Sequence, residues 1–141
     1  MTWKWVINGA KGITREGMAT MHAHTLSNRA DSVEQCPSRR GLFACGSYEL
    51  DEATQQRHGQ VCLFSLAAAS EGEGEGEAGM AQVASVDTPG VLDLKWCASS
   101  ETFGDGDVLL GAALANGSAS VFAVKVRAQV QMCKARRSLT V

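Results

Sequence analysis

Gly59-Gln60-Val61-Cys62-Leu63-Phe64-Ser65-Leu66 is spelled again, 58 residues on, as Gly117-Ser118-Ala119-Ser120-Val121-Phe122-Ala123-Val124. In that register glycine meets glycine, Leu63 meets Val121, Phe64 meets Phe122 and Leu66 meets Val124. Self-similarity at a fixed spacing is read before anything else, because a repeated unit that cannot bury its own face dictates the whole architecture.

Working outward, Ser32-Val33-Glu34-Gln35-Cys36 pairs with Asp93-Leu94-Lys95-Trp96-Cys97 at an offset of 61. Between these anchors lie Leu42 to Gly46 in one unit and Val108 to Ala113 in the other, short apolar runs bounded by turn residues, as buried strands are. A weaker fourth strand is available at Ala81 to Val86 and again at Val126 to Met132. Each unit therefore reads as a four-stranded antiparallel blade. The fold class is all-β, about two blades of an incomplete β-propeller ring, with Phe64 and Phe122 expected in equivalent places. Asn116-Gly117 predicts a two-residue type I′ hairpin, and the polar stretch Asp51 to His58 an outward loop.

The units are longer than the about 40–45 residues usual for such repeats. The excess is Ser70-Glu71-Gly72-Glu73-Gly74-Glu75-Gly76-Glu77-Ala78-Gly79, in which alternating glutamate and glycine have nothing to bury. The organisation is then an unassigned segment 1–23, in which Trp3, Trp5, Val6 and Ile7 fit one strand, followed by blade one over 24–86 with its acidic loop 70–79, blade two over 87–132 and a basic tail 133–141.

A hydrophobic share of 45% with mean hydropathy -0.08 excludes a disordered chain. A net charge of -2 offers nothing to nucleic acid or to an anionic membrane. Lys134 to Arg137 is a solvated basic cluster, and Val108 to Val124 is interrupted by Asn116, Gly117, Ser118 and Ser120 and falls short of the roughly 20 apolar residues of a membrane span. Met1 to Asn8 is broken by Lys4 and Asn8 before a secretory core can form. Cys36, Cys45, Cys62, Cys97 and Cys133 are odd in number and lack a C-x-x-C pair, which points to reduced, mostly buried thiols in the cytosol rather than to disulfides or zinc.

Hydrolytic chemistry needs a nucleophile with a base, or activated water, and an oxyanion site. No G-x-S-x-G elbow is present. His22 and His24 fall on one face of a strand and read as a solvated edge, and His58 reads as loop. Asp31, Asp87 and Asp93 recur beside strand starts, where such residues bond nearby backbone N–H groups. Cys45 and Ser47 follow one strand, but Cys45 lies in an apolar run, which favours a structural thiol. Asn116-Gly117-Ser118 also spells a glycosylation acceptor, read here as a hairpin turn. These patterns assign no catalytic residue, no metal ligand and no cofactor.

Ala30-Asp31-Ser32-Val33-Glu34 with Cys36-Pro37, then Leu42 to Leu50, then Gly59 to Phe64, then Asp87-Thr88-Pro89-Gly90-Val91-Leu92-Asp93-Leu94-Lys95-Trp96-Cys97, resemble the opening of the WD-repeat diphthine methylesterases, also called diphthine methyltransferases. The resemblance runs over residues 24–124 and is carried most specifically by the stretch from Asp87 to Cys97. It implies a cytoplasmic carboxylic ester hydrolase of diphthamide synthesis, acting without a cofactor on the methyl ester of the modified histidine of translation elongation factor 2. Gln35 departs from it, standing where the family places tryptophan. With about two blades, a noncatalytic propeller fragment or interaction scaffold is the alternative.

Overall fold

The computed structural model describes residues 3–8, 21–26, 29–66, 79–97, 107–126 and 130–140. Every regular element among them is a strand: β1 Trp3–Asn8, β2 Met21–Leu26, β3 Ala30–Gln35, β4 Leu42–Ser47, β5 Glu49–Asp51, β6 Gln56–Leu66, β7 Met80–Pro89, β8 Val91–Trp96, β9 Val108–Leu114, β10 Ser118–Val126 and β11 Val130–Thr140. No described helix is long and apolar enough to cross a membrane.

Two antiparallel sheets hold the molecule together. The first runs β3, β4, β6, β7, with the short β5 beside the start of β6, and the second runs β8, β9, β10, β11. The register carries the repeat. Ser32, Val33, Glu34 and Gln35 face Gly46, Cys45, Ala44 and Phe43, and Asp93, Leu94, Lys95 and Trp96 face Ala113, Ala112, Gly111 and Leu110 in the same manner. Each first strand has a bulge at its start, between Ala30 and Ser32 in one and between Val91 and Asp93 in the other. Phe64 opposes Phe43 and Phe122 opposes Leu110, so the two phenylalanines hold equivalent places in consecutive blades. The sheets are blade-like and antiparallel, and they do not close a ring among the described residues.

Alternation along each strand decides which side chains are buried. Leu42, Ala44, Val61 and Leu63 leave one face of the first sheet. They meet Leu94, Trp96, Leu110, Ala112, Leu114, Phe122 and Val124 from the second, with Val91 and Val108 at its margins. Gly46 must be glycine here, because a Cβ would sit 2.4 Å from Val91 Cγ1. Equivalent residues also meet across the gap between blades. The Ser32 hydroxyl donates to Asp93 Oδ1 at 3.3 Å, and Lys95 Nζ lies 2.6 Å from Glu34 Oε1. Trp96 Nε1 donates to the Glu34 carbonyl at 3.1 Å. Trp96 is buried by the preceding blade, whereas Gln35, at the equivalent place in blade one, is exposed.

The opposite face of the first sheet gathers Ala30, Phe43, Cys45, Cys62 and Phe64, with Leu26 of β2 packed on it. The two-stranded β1–β2 ribbon pairs Trp3 with Leu26 through Asn8 with Met21, so the strand expected around Trp3 to Ile7 is present.

Several local expectations are corrected. The Ala115–Gly117 connection is a three-residue loop rather than a type I′ turn: Gly117 N–H donates to the Leu114 carbonyl at 3.0 Å, and Gly117 at φ +80° alone has positive φ there. A type I turn followed by a left-handed glycine matches strand twist as well as a primed turn does, and Asn116 Oδ1 holds it by accepting from Ser118 N–H at 3.1 Å. The expected loop Asp51 to His58 is a hairpin, β5 and β6 joined through Glu52 to Gln55, because Asp51 Oδ1 accepts from the N–H groups of Ala53 and Thr54 and closes the turn. The fourth strands are longer than expected. β7 extends to Pro89, and the residues read as a basic tail continue β11 to Thr140, paired with β10. The acidic run from Ser70 through Ala78 lies outside the described residues, as do the side chains of His22, His24, Cys133 and Lys134 to Arg137.

Candidate functional site

The connections at one end of both blades converge on an open cleft of about 560 Å3, lined by Gln55, Gln56, Arg57 and His58 of the first hairpin, Asp87, Thr88 and Pro89 at the end of β7, and Ala115 and Asn116 of the second hairpin. That volume is in the range of small-ligand clefts. Backbone bonds tie its walls together: Gly90 N–H donates to the Arg57 carbonyl at 3.0 Å, and Ala115 N–H donates to the Gly90 carbonyl at 2.7 Å. Gly90 is required for this approach, since a Cβ there would lie 2.6 Å from Tyr48 Cδ2. The Tyr48 hydroxyl in turn accepts from Arg57 Nε at 2.7 Å, which orients the guanidinium along the cleft wall.

The polar groups are positioned by the strands. His58 stands on β6 between Glu49 of β5 and Pro89 of β7. Asp87, opposite Gln60, accepts from Gln60 Nε2 at 2.7 Å, a side-chain bond where the sequence suggested a backbone cap. Thr88 Oγ1 is buried without a hydrogen-bond partner among the described residues, which costs about 1–3 kcal/mol unless a bound group satisfies it. An imidazole, a carboxylate, a guanidinium and side-chain amides around one opening can accept a proton and donate to a developing oxyanion.

The other sequence candidates do not join this cleft. Cys45 and Cys62 face each other across β4 and β6. Burial, then the neighbouring Cys62, pushes the Cys45 thiol up to about 12; burial, then Asp87, pushes Cys62 up to about 11. Since the thiolate is the nucleophile, both are structural. The Ser47 hydroxyl is buried and accepts from Gln60 N–H at 2.8 Å, so it completes the sheet rather than attacking a substrate. Asp93 does act as the expected cap, accepting from Leu94 N–H at 2.9 Å, and Asp31 is exposed on β3. Asp51 is held below the usual carboxylate range by Thr54 and by the backbone of Ala53 and Thr54. Cys36, Cys45, Cys62 and Cys97 are free thiols, and no metal-holding group occurs among the described residues. The sequence reading missed Gln55, Gln56, Arg57, Thr88, Pro89 and Ala115. The signal available was the antiparallel blade itself, which sends the β5–β6, β7–β8 and β9–β10 connections to the same end.

No protein-family model matches the chain. Diphthine methyltransferase of Mus musculus is 37% identical over 121 residues, 72% of this chain. The chain is a partial homologue of diphthine methyltransferase. It spans 24% of the length of that relative.

Proposed function

We propose that this chain is part of a cytosolic diphthine methylesterase, which hydrolyses the methyl ester of the modified histidine on translation elongation factor 2 during diphthamide synthesis. The observation that carries this is the 37% identity to diphthine methyltransferase. In this reading the ester group enters the cleft at the loop end. Water adds to the ester carbonyl, His58 takes its proton, donors on the cleft wall hold the tetrahedral oxyanion, and collapse releases methanol and a carboxylate. Because the Cys45 and Cys62 thiols are held protonated and Ser47 is committed to the backbone, water is the attacking group in this reading.

A second reading, a noncatalytic propeller fragment serving as a scaffold, is favoured by one observation: Leu109, Ala119, Val121 and Ala123 of the second sheet remain partly open. Methanol release decides between them. The 141-residue chain is assayed with methyl-esterified elongation factor 2, alone and fused to the part of the mouse relative that follows the matched segment. The expected result is little release by the chain alone and ready release by the fusion, lowered by His58→Gln. No release by a folded fusion refutes the esterase reading, and release unaffected by H58Q refutes the assignment of the base.

A further inference from the structure

Hydrogen bonds behind the cleft decide which atoms it presents. Arg57, Gly59 and Val61 share one face of β6, because strand residues two apart do, and Val61 on that face packs against the second sheet. Thr88 stands opposite Gly59 and so belongs to the same inter-blade face. The Tyr48 hydroxyl holds the Arg57 guanidinium at Nε, 2.7 Å away, which leaves the Nη1–Nη2 edge for a ligand. Asn116 reaches the cleft from the second blade. Its Oδ1 accepts from the Ser118 N–H at 3.1 Å and from the Ser118 hydroxyl at 2.7 Å. A backbone N–H only donates, so the turn takes the oxygen of this amide and leaves its NH2 group on the other side. Thr88 Oγ1 is buried with no partner among the described residues and has a proton to donate. By the same alternation His58 and Asp87 belong to the opposite face, where the Asp87 carboxylate accepts from Gln60 Nε2 at 2.7 Å. The inter-blade wall therefore offers donors from both blades and one permanent positive charge.

We propose that this wall is a binding site for a singly charged carboxylate. Arg57 is its anchor, the Thr88 hydroxyl and the Asn116 amide are its flanking donors, and Tyr48 is the residue that positions Arg57. A planar guanidinium edge matches the two oxygens of a carboxylate, which a lysine in its place would not. One cation suits a monoanion, whereas a dianionic phosphate would bring a second charge towards Asp87, which lines the same cleft. The orphaned Thr88 hydroxyl gains its missing acceptor when the ligand arrives, so binding removes a desolvation cost that the free chain carries. The site goes beyond the esterase reading, because it needs no turnover and stands whether or not His58 acts as a base.

The test is a titration of the 141-residue chain with sodium acetate at pH 7 and low salt, followed by two-dimensional amide NMR. Saturable shifts centred on Arg57, Thr88 and Asn116 are expected, with a dissociation constant on the order of millimolar. Acetamide, the neutral isostere, should produce none, and inorganic phosphate should bind more weakly than acetate. Arg57→Gln is expected to weaken acetate by roughly 10-fold or more, as loss of a hydrogen-bonded charge does. Thr88→Val should weaken it by about 5-fold and Thr88→Ser should restore it, with Thr88→Ala replacing a valine variant whose spectrum is not dispersed. Tyr48→Phe should weaken acetate by about 5-fold and move the Arg57 Nε–H resonance in the free chain, a change that a purely structural tyrosine would not cause. Lys125→Gln removes an exposed cation at the end of β10 remote from Asn116 and should leave binding unchanged. No saturable shift, equal loss in the Arg57 and Lys125 variants, or acetamide or phosphate matching acetate would each overturn the proposal.

Discussion

Two glycines that occupy matching places in the repeat are required for different reasons, and alanine substitution separates them. At Gly59, inside β6, an added Cβ would stand 2.1 Å from the Ser47 carbonyl oxygen and 3.0 Å from Gly90 Cα. Both obstacles are backbone, so no side chain can swing aside. Relieving the contact forces β4 and β6 apart by roughly 1 Å and pulls the Ser47 hydroxyl off Gln60 N–H, now 2.8 Å away. Overpacking of this kind costs about 1–3 kcal/mol and the lost buried hydrogen bond about 1 more, so G59A should destabilise by about 3 kcal/mol. At Gly117 nothing lies within 4 Å of the new Cβ, and the only cost is holding alanine at φ +80°, about 1–2 kcal/mol. Urea unfolding followed by the fluorescence of buried Trp96 measures both. A G117A variant at least as damaged as G59A would refute the reasoning, because backbone collision would then not outweigh backbone strain.

Four further outcomes follow from the same structure. Ser120 is 1% exposed and its hydroxyl has no partner among the described residues, so Ser120→Ala should stabilise the chain by about 1 kcal/mol in the same unfolding assay; destabilisation would show a hidden partner. At pH 8 a thiol reagent should modify half-buried Cys97 while sparing Cys45 and Cys62, read by peptide mass spectrometry. Their folded values are raised, so their contribution is complete below the ordinary thiol range and is lost as pH climbs towards about 11 and 12; unfolding midpoints should fall over that interval and recover in a Cys45→Ala, Cys62→Ala chain. Asp51 behaves oppositely: its folded value is lowered, so the hairpin it closes keeps its full support above the ordinary carboxylate range and loses it as pH falls through the lowered value. Asp51→Asn should flatten that acid limb, and an unchanged limb would mean the turn does not report on folding.

The two repeat offsets, 58 and 61, were legible because strand periodicity survives in one dimension. Apolar residues of like size recur wherever a blade must bury a face, so the sequence alone determined the all-β class, the equivalence of Phe64 and Phe122, and the pairing of Ser32 to Cys36 with Asp93 to Cys97. It also marked Cys45 as structural from its apolar setting, and burial raises that thiol. Tertiary structure decided what local spelling leaves degenerate. Asn-Gly suits either of two hairpins, and the sheet's demand for strand twist chose the three-residue form at Ala115 to Gly117. Asp51 to His58 looked like a loop because its strand residues are polar, yet they pair at an exposed sheet margin. The cleft was out of reach for a simpler reason: Arg57, Thr88 and Asn116 are separated along the chain, and only stacking of the two blades, with Gly90 bonded to Arg57 on one side and Ala115 on the other, brings them to one opening.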